Sequence, residues 1–135
     1  MERIKLKELK NVDGISNSEM ALEHLKKDLD LSQENVVLIG MNNKNKVIFT
    51  KLMFKGGINA SIIDLKLVLR ELLVNNCNGF IIGHNHPSGD LTPSKEDIDV
   101  TNKLKDASDL LEMRLLDHFI FDNNNYISFH DENLL

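Results

Sequence analysis

The feature that most constrains the fold is a leucine-rich stretch, Ser61 to Leu73, that runs within a few residues into the wholly apolar segment Phe80-Ile81-Ile82-Gly83. In the first, Ile62, Leu65, Leu67, Val68, Leu69, Leu72 and Leu73 predict a helix from Ser61 with a broad buried face. In the second, the absence of polar alternation predicts a short interior strand, covered on both sides. A helix feeding such a strand implies an α/β fold, a mixed sheet sandwiched by helices.

The other segments fit that scheme. Val36 to Ile39 and Lys46 to Phe54 predict a hairpin turning through Gly40 to Asn45, with Gly56-Gly57 ending its second strand. Ser18 can cap a first helix carrying Met20, Leu22, Leu25 and Leu29, which ends near Leu31-Ser32. A third helix is expected from Ser94, or just after it, to Leu111. Leu115 to Phe121 and Tyr126 to Phe129 are expected as strands around the turn Asn123-Asn124-Asn125. At 135 residues the chain is one domain's worth, divided here into a helical segment, 1–30, packed on a unit spanning 31–135.

Composition removes several classes of function. No apolar run approaches the roughly 20 residues of a membrane span. The opening MERIKLKELK mixes charge with Ile and Leu, so a cytoplasmic location without membrane attachment is expected. Cys77 is the only cysteine, which excludes an intrachain disulfide, a zinc ribbon and a CxxC redox site. A net charge of −5 disfavours nucleic acid as a direct high-affinity ligand, and Arg3, Lys5, Lys7 and Lys10, interleaved with Glu2 and Glu8, read as a solvated face. Tyr126 is the single tyrosine and there is no tryptophan, which leaves little for base stacking.

The most informative segment runs from His84 to Asp97 and contains both prolines, Pro87 and Pro93. If the chain leaves the Phe80 strand still extended, His84 and His86 lie on the same side, where two imidazole nitrogens can converge on one ion. Asp97 then supplies an oxygen, and two His with one carboxylate leave a fourth tetrahedral position open, as in catalytic zinc sites. Ser94-Lys95-Glu96-Asp97 equally fits a capping box that needs no metal. The two uses are compatible, because the first turn of a helix holds both residues on one face. No G-x-S-x-G supports a serine hydrolase, and the H-x-E and P-C-x-x-C of nucleobase deaminases are absent.

The spacing H-x-H, seven residues, S-x-x-D resembles the JAMM signature of the JAB/MPN metalloproteases. Asn85-His86-Pro87-Ser88-Gly89 and Leu116-Asp117-His118 are similar to the RadC-like branch of that family. The resemblance covers about Leu31 to Phe129 and implies a fold similar to that of cytidine deaminases. It implies one zinc per chain on His84, His86 and Asp97, with peptide or isopeptide bonds of a peptide or protein substrate as the target. The family draws its general base from an earlier strand, and the matching position is Glu34; Glu23 and Glu71 are other acids upstream of the histidines. Ser94 would stabilise the oxyanion. Two departures are a missing N-terminal helix-hairpin-helix region, which weakens a DNA-directed role, and Gly56-Gly57 where Gly-Thr is common. The alternative is a DNA-repair-associated binding or scaffold module with a structural or vestigial metal site. His118 is expected as a core histidine hydrogen-bonded near the site, His24 and His130 as exposed, and Cys77 as a small buried residue. Oligomeric state stays open, since the Ile62 to Leu73 helix suits a core or an interface.

Overall fold

The computed structural model describes residues 14–56 and 63–135. The Arg3 to Lys10 charge cluster, Gly57 and the expected helix start at Ser61-Ile62 lie outside the described residues.

Five strands form one mixed sheet in the order β2-β1-β3-β4-β5. β1 is Asn35–Met41, β2 Val47–Lys55, β3 Gly79–Asn85, β4 Arg114–Phe121 and β5 Tyr126–Ser128. The helices are α1, Ser18–Lys26; α2, Leu65–Val74; and α3, Lys95–Leu110. β1 runs antiparallel to β2 and β3, β4 runs parallel to β3, and β5 returns antiparallel to β4. A parallel pair needs a crossover connection, and α3 supplies it between β3 and β4.

Both faces of the sheet are covered at β1 and β3, as the apolar β3 requires, whereas no residue of β2 is fully buried. On one face Val68 and Leu72 of α2 and Leu104 of α3 pack with Val36, Leu38, Phe80 and Ile82. On the other, Ala21, Leu22 and Leu25 of α1 meet Val37, Ile39, Ile81 and Phe119. Every residue of β1 and β3 is buried. At about 1.5–3 kcal/mol for each large apolar side chain removed from water, these two strands anchor the fold.

Chain ends of the helices follow local chemistry, with some differences from expectation. α1 is capped by Asn17, not Ser18: the Asn17 side chain accepts the Met20 N–H. Asn and Ser are similar caps, so composition alone does not choose between neighbours. α1 also stops at Lys26, leaving Leu29 outside it. α2 begins at Leu65, four residues after the expected Ser61, because it is Asp64 that caps it, accepting from the N–H groups of Lys66 and Leu67. Its buried face is narrower than the leucine count implied, because Leu67 and Leu73 are 42% and 52% exposed. The helix covers one stripe of the sheet, and a leucine off that stripe stays in water.

Two helix ends use residues in the left-handed region where glycine is usual. Asn76, at φ 55°, ends α2, with its N–H bonded to the Leu73 carbonyl and that of Cys77 to Leu72. Glu112, at φ 61°, ends α3 in the same way, through Glu112 N–H to Asp109 and Met113 N–H to Ser108. These reversals return the chain directly into β3 and β4.

Candidate metal centre

The site lies where the end of β3, the N-terminus of α3 and the chain entering β1 meet. β3 extends through Asn85, two residues beyond the expected Gly83, so His84 is still in the strand and His86 follows it. The alternation holds: the Nε2 atoms of His84 and His86 are 3.0 Å apart. His86 is kept close to the sheet by its own N–H, which donates to the Phe121 carbonyl. Beyond it, His86-Pro87-Ser88-Gly89 closes a turn, with the Gly89 N–H on the His86 carbonyl and Gly89 at φ 85°, a conformation that favours glycine.

Ser94 and Asp97 form the capping box. Ser94 Oγ accepts the Asp97 N–H at 3.0 Å, and Asp97 Oδ2 accepts the Ser94 N–H at 2.9 Å. The same carboxylate faces the histidines, with Oδ1 3.4 Å from His84 Nε2 and Oδ2 3.7 Å from His86 Nε2. The cap therefore aims the carboxylate at the imidazoles. Burial pushes the Asp97 carboxyl up, but the adjoining His84 imidazole and the Ser94 N–H outweigh it and hold the group well below the ordinary carboxylate range.

Glu34 enters from the opposite side. β1 pairs antiparallel with β3 so that Val36 lies opposite His84, and continuing that register sets Glu34 beside His86. Glu34, His84 and His86 each offer a ligand atom within 4.8 Å of the others. The two histidines are thus flanked by two carboxylates, Asp97 from α3 and Glu34 from the entry to β1. Asn85, pointing away from the pair, ties this entry down: its side chain accepts the Asn35 N–H at 2.8 Å and donates to the carbonyls of Gln33 and Leu31.

The hydrogen-bond partners assign the ring protons. His86 Nδ1 is 2.7 Å from the Asp90 carbonyl, which can only accept, so Nδ1 carries a proton, and in the neutral ring Nε2 is the bare nitrogen. His84 Nδ1 bonds His118 Nε2 at 2.9 Å. His118 is fully buried on β4, and burial, with the neighbouring His84 imidazole, lowers its basicity well below the usual imidazole value.

This donor set fits a divalent cation. A tetrahedral ion with ligand distances of about 2.0–2.1 Å requires donor separations of about 3.4 Å. The two Nε2 atoms are 3.0 Å apart, and the Asp97 carboxylate comes within 3.4 Å of His84 through Oδ1 and 3.7 Å of His86 through Oδ2. In the tautomers that leave both Nε2 atoms bare, two lone pairs and a carboxylate this close repel unless positive charge lies between them. His84 and Asp97 are nearly enclosed, with side chains 2% and 4% exposed, whereas His86, at 17%, opens to solvent. It borders a cavity of about 370 Å³ shared with Leu31, Ser32, Asn85 and Asp122. A larger cleft of about 530 Å³, bordered by Ile15, Asn17 and Asp117, involves none of these four residues.

Of the residues expected from sequence, His84, His86, Asp97 and Glu34 come together, and Ser94 joins through Asp97. The Asp117 and His118 side chains do not form a dyad: Asp117 accepts from Ser128 Oγ and from the N–H groups of His118 and His130. His130 is exposed, but His24 is half-buried on α1. Cys77 is buried, which pushes its thiol up. Thr101 is the residue that sequence reading missed. Its hydroxyl joins the Asp97 carbonyl to His118, and its one signal was the i,i+4 spacing from Asp97.

A sheet covered on both faces, with a His-x-His pair leaving its central strand toward a capped Ser-x-x-Asp, defines an α/β domain built around a candidate metal site. The chain belongs to the RadC-like JAB domain family, whose model matches residues 15–134. It is 40% identical over 134 residues to a UPF0758 protein of Clostridium perfringens, covering 99% of this chain and 59% of that one. Against a UPF0758 protein of Clostridium tetani it is 46% identical over 105 residues, 78% of this chain and 46% of the relative. A third relative, UPF0758 protein GK2618 of Geobacillus kaustophilus, is 44% identical over 102 residues, 76% of this chain and 45% of its own. The chain thus spans about half the length of these relatives. Among the described residues no helix is long and apolar enough to cross a membrane.

Proposed function

We propose that this domain is a zinc-dependent hydrolase of the JAMM type that cleaves peptide or isopeptide bonds. The observation that carries the reading is the convergence of the two imidazole Nε2 atoms with the Asp97 carboxylate beside a second carboxylate, Glu34. His84, His86 and Asp97 would hold the ion, a set of two nitrogens and one oxygen suited to zinc with a position left for substrate or water. When bound, zinc supplies Lewis acidity, polarising a carbonyl and acidifying water.

The chain's own groups supply the proton transfers. Glu34 is placed to take a proton from the attacking water and return it to the leaving amine nitrogen, so that water's OH ends on the carbonyl carbon and its proton on the amine. The Ser94 oxygen accepts from the Asp97 N–H, which leaves its own proton to donate to an oxyanion. Asp97 stays ionised across the neutral range. The cavity beside His86 gives a polypeptide segment access from one side.

The test combines metal content with turnover on a panel of peptide and isopeptide substrates. Glu34→Gln should keep about one zinc per chain and lose hydrolysis, while His84→Ala should lose the zinc. Cleavage by Glu34→Gln at the parent's rate would remove Glu34 from the chemistry. A zinc-loaded parent that cleaves nothing on the panel would favour a scaffold with a structural metal.

A further inference from the structure

Beside the metal centre lies a buried chain of polar groups whose protons can be assigned one by one. Thr101 Oγ1 is 2.6 Å from the Asp97 carbonyl oxygen and 2.6 Å from His118 Nδ1. His118 Nε2 is in turn 2.9 Å from His84 Nδ1, and His84 Nε2 faces His86 and Asp97. Thr101 and His118 are 1% and 0% exposed, so water cannot stand in for a missing partner.

We infer that Thr101 and His118 are positioning residues that lock His84 in the tautomer with its proton on Nδ1, and so present its Nε2 lone pair to the metal. The inference rests on the reading of His84 as a ligand. Its logic follows from counting protons. The Asp97 carbonyl has none, so the contact with Thr101 is satisfied only if the hydroxyl donates to it. That hydroxyl has no second proton, so His118 Nδ1 must donate to Thr101 Oγ1. Fully buried, with only a hydroxyl and an imidazole hydrogen-bonded to it and no acid, His118 is neutral and so has a bare Nε2, which requires His84 Nδ1 to donate. His84 Nε2 is left bare. The reverse order would set Thr101 Oγ1 and one of its 2.6 Å partners lone pair to lone pair.

Neighbouring packing keeps the relay in line. His118 stacks on the buried Phe129 ring, with centroids 4.4 Å apart and planes 21° from parallel. The parallel register sets His118 beside Ile82 and His84 beside Ile120, which brings the two imidazoles within reach. Thr101 sits one helical turn after Asp97, so one helix both aims the carboxylate and sets the tautomer of its companion ligand. Partners of this kind, behind a metal-bound histidine, are worth about 10–100-fold in metal affinity.

Removing the hydroxyl should reverse the relay. In Thr101→Val a proton on His118 Nδ1 would be buried without an acceptor, so it moves to Nε2 and is donated to His84 Nδ1. His84 then carries its proton on Nε2, where it opposes the metal. The experiment is ¹⁵N spectroscopy of the histidine rings in the metal-free full chain at about pH 8, above the usual imidazole pKa of about 6.5. It is paired with zinc affinity measured against a competing chelator. The parent should show protons on Nδ1 of both His84 and His118, and Thr101→Val should show both on Nε2. Zinc affinity should fall about 10–100-fold in Thr101→Val and stay within about 3-fold of the parent in Thr101→Ser, which keeps the hydroxyl. A parent with His84 protonated on Nε2 overturns the relay even if the valine variant does not fold. Unchanged tautomers and affinity in a folded Thr101→Val overturn it as well. If the parent takes up no zinc, the metal reading fails instead, whichever tautomers the spectrum shows.

Discussion

Gly83 lies immediately before His84, and its missing side chain is what lets α1 settle on the sheet. A Cβ built at Gly83 would lie 2.7 Å and 2.9 Å from the two methyls of Leu25 and 3.2 Å from its Cγ. Leu25 is fully buried, so it cannot swing aside into solvent. Overpacking of this kind costs about 1–3 kcal/mol, and loss of glycine's unfolded-state entropy returns about 0.5–1 kcal/mol. Gly83→Ala should therefore destabilise the fold by about 1–2 kcal/mol. Leu25→Ala alone leaves a cavity and should cost about 2–5 kcal/mol. In the double variant the new methyl enters the space Leu25 vacates, so its cost should fall short of the sum by at least about 1 kcal/mol. Urea unfolding of the three variants and the parent measures each quantity directly. A neutral Gly83→Ala, or a double variant additive to within about 0.5 kcal/mol, would refute the account of how α1 meets β3.

Other expectations follow from the site and its surroundings. Asp97→Asn keeps an oxygen for the Ser94 N–H but loses the charge, so the zinc-dependent rise in melting temperature should vanish; in the parent, zinc at 100 times its Kd should add about 2.7 kcal/mol. Ser94→Ala should instead cost about 1 kcal/mol of stability and retain a zinc response; the reverse pattern in thermal shift would separate the cap from the ligand in the wrong order. Asp117 gives a pH signature. Burial raises its carboxyl above the ordinary value despite the bonds from Ser128, His130 and His118. A carboxyl raised on folding stabilises the protonated native state, a contribution present below the unfolded value and lost as pH rises through the folded one. Asp117→Asn should therefore gain on the parent between about pH 3.5 and 7 in unfolding experiments with chelator present; a difference that stays flat or shrinks over that range counts against it.

How much of this was legible in the chain depends on the range of the interaction. The hairpin, the buried β3 and the start of α3 at Ser94 follow from neighbours within a few residues, and they appear as expected. The α1 cap was misplaced by one residue because Asn17 and Ser18 are chemically similar at that position. The leucines of α2 misled about its buried width, since which leucine meets the sheet depends on how the helix is laid down. Asn76 and Glu112 end their helices without the glycine that usually announces such a turn.

The same division runs through the site. By itself the sequence determined that His84 and His86 share a side, through strand alternation, and that Ser94 and Asp97 share a helical turn, through the capping box. Both are local rules of backbone geometry, and both operate over fewer than five residues. Tertiary structure alone decided that Glu34 reaches the histidines, because that depends on the antiparallel register between β1 and β3. It also decided that Thr101 and His118 meet behind His84, which required a helix face and a parallel strand register to coincide. Register between distant segments is set by the packing of whole faces against one another, and no short window of the chain contains that information.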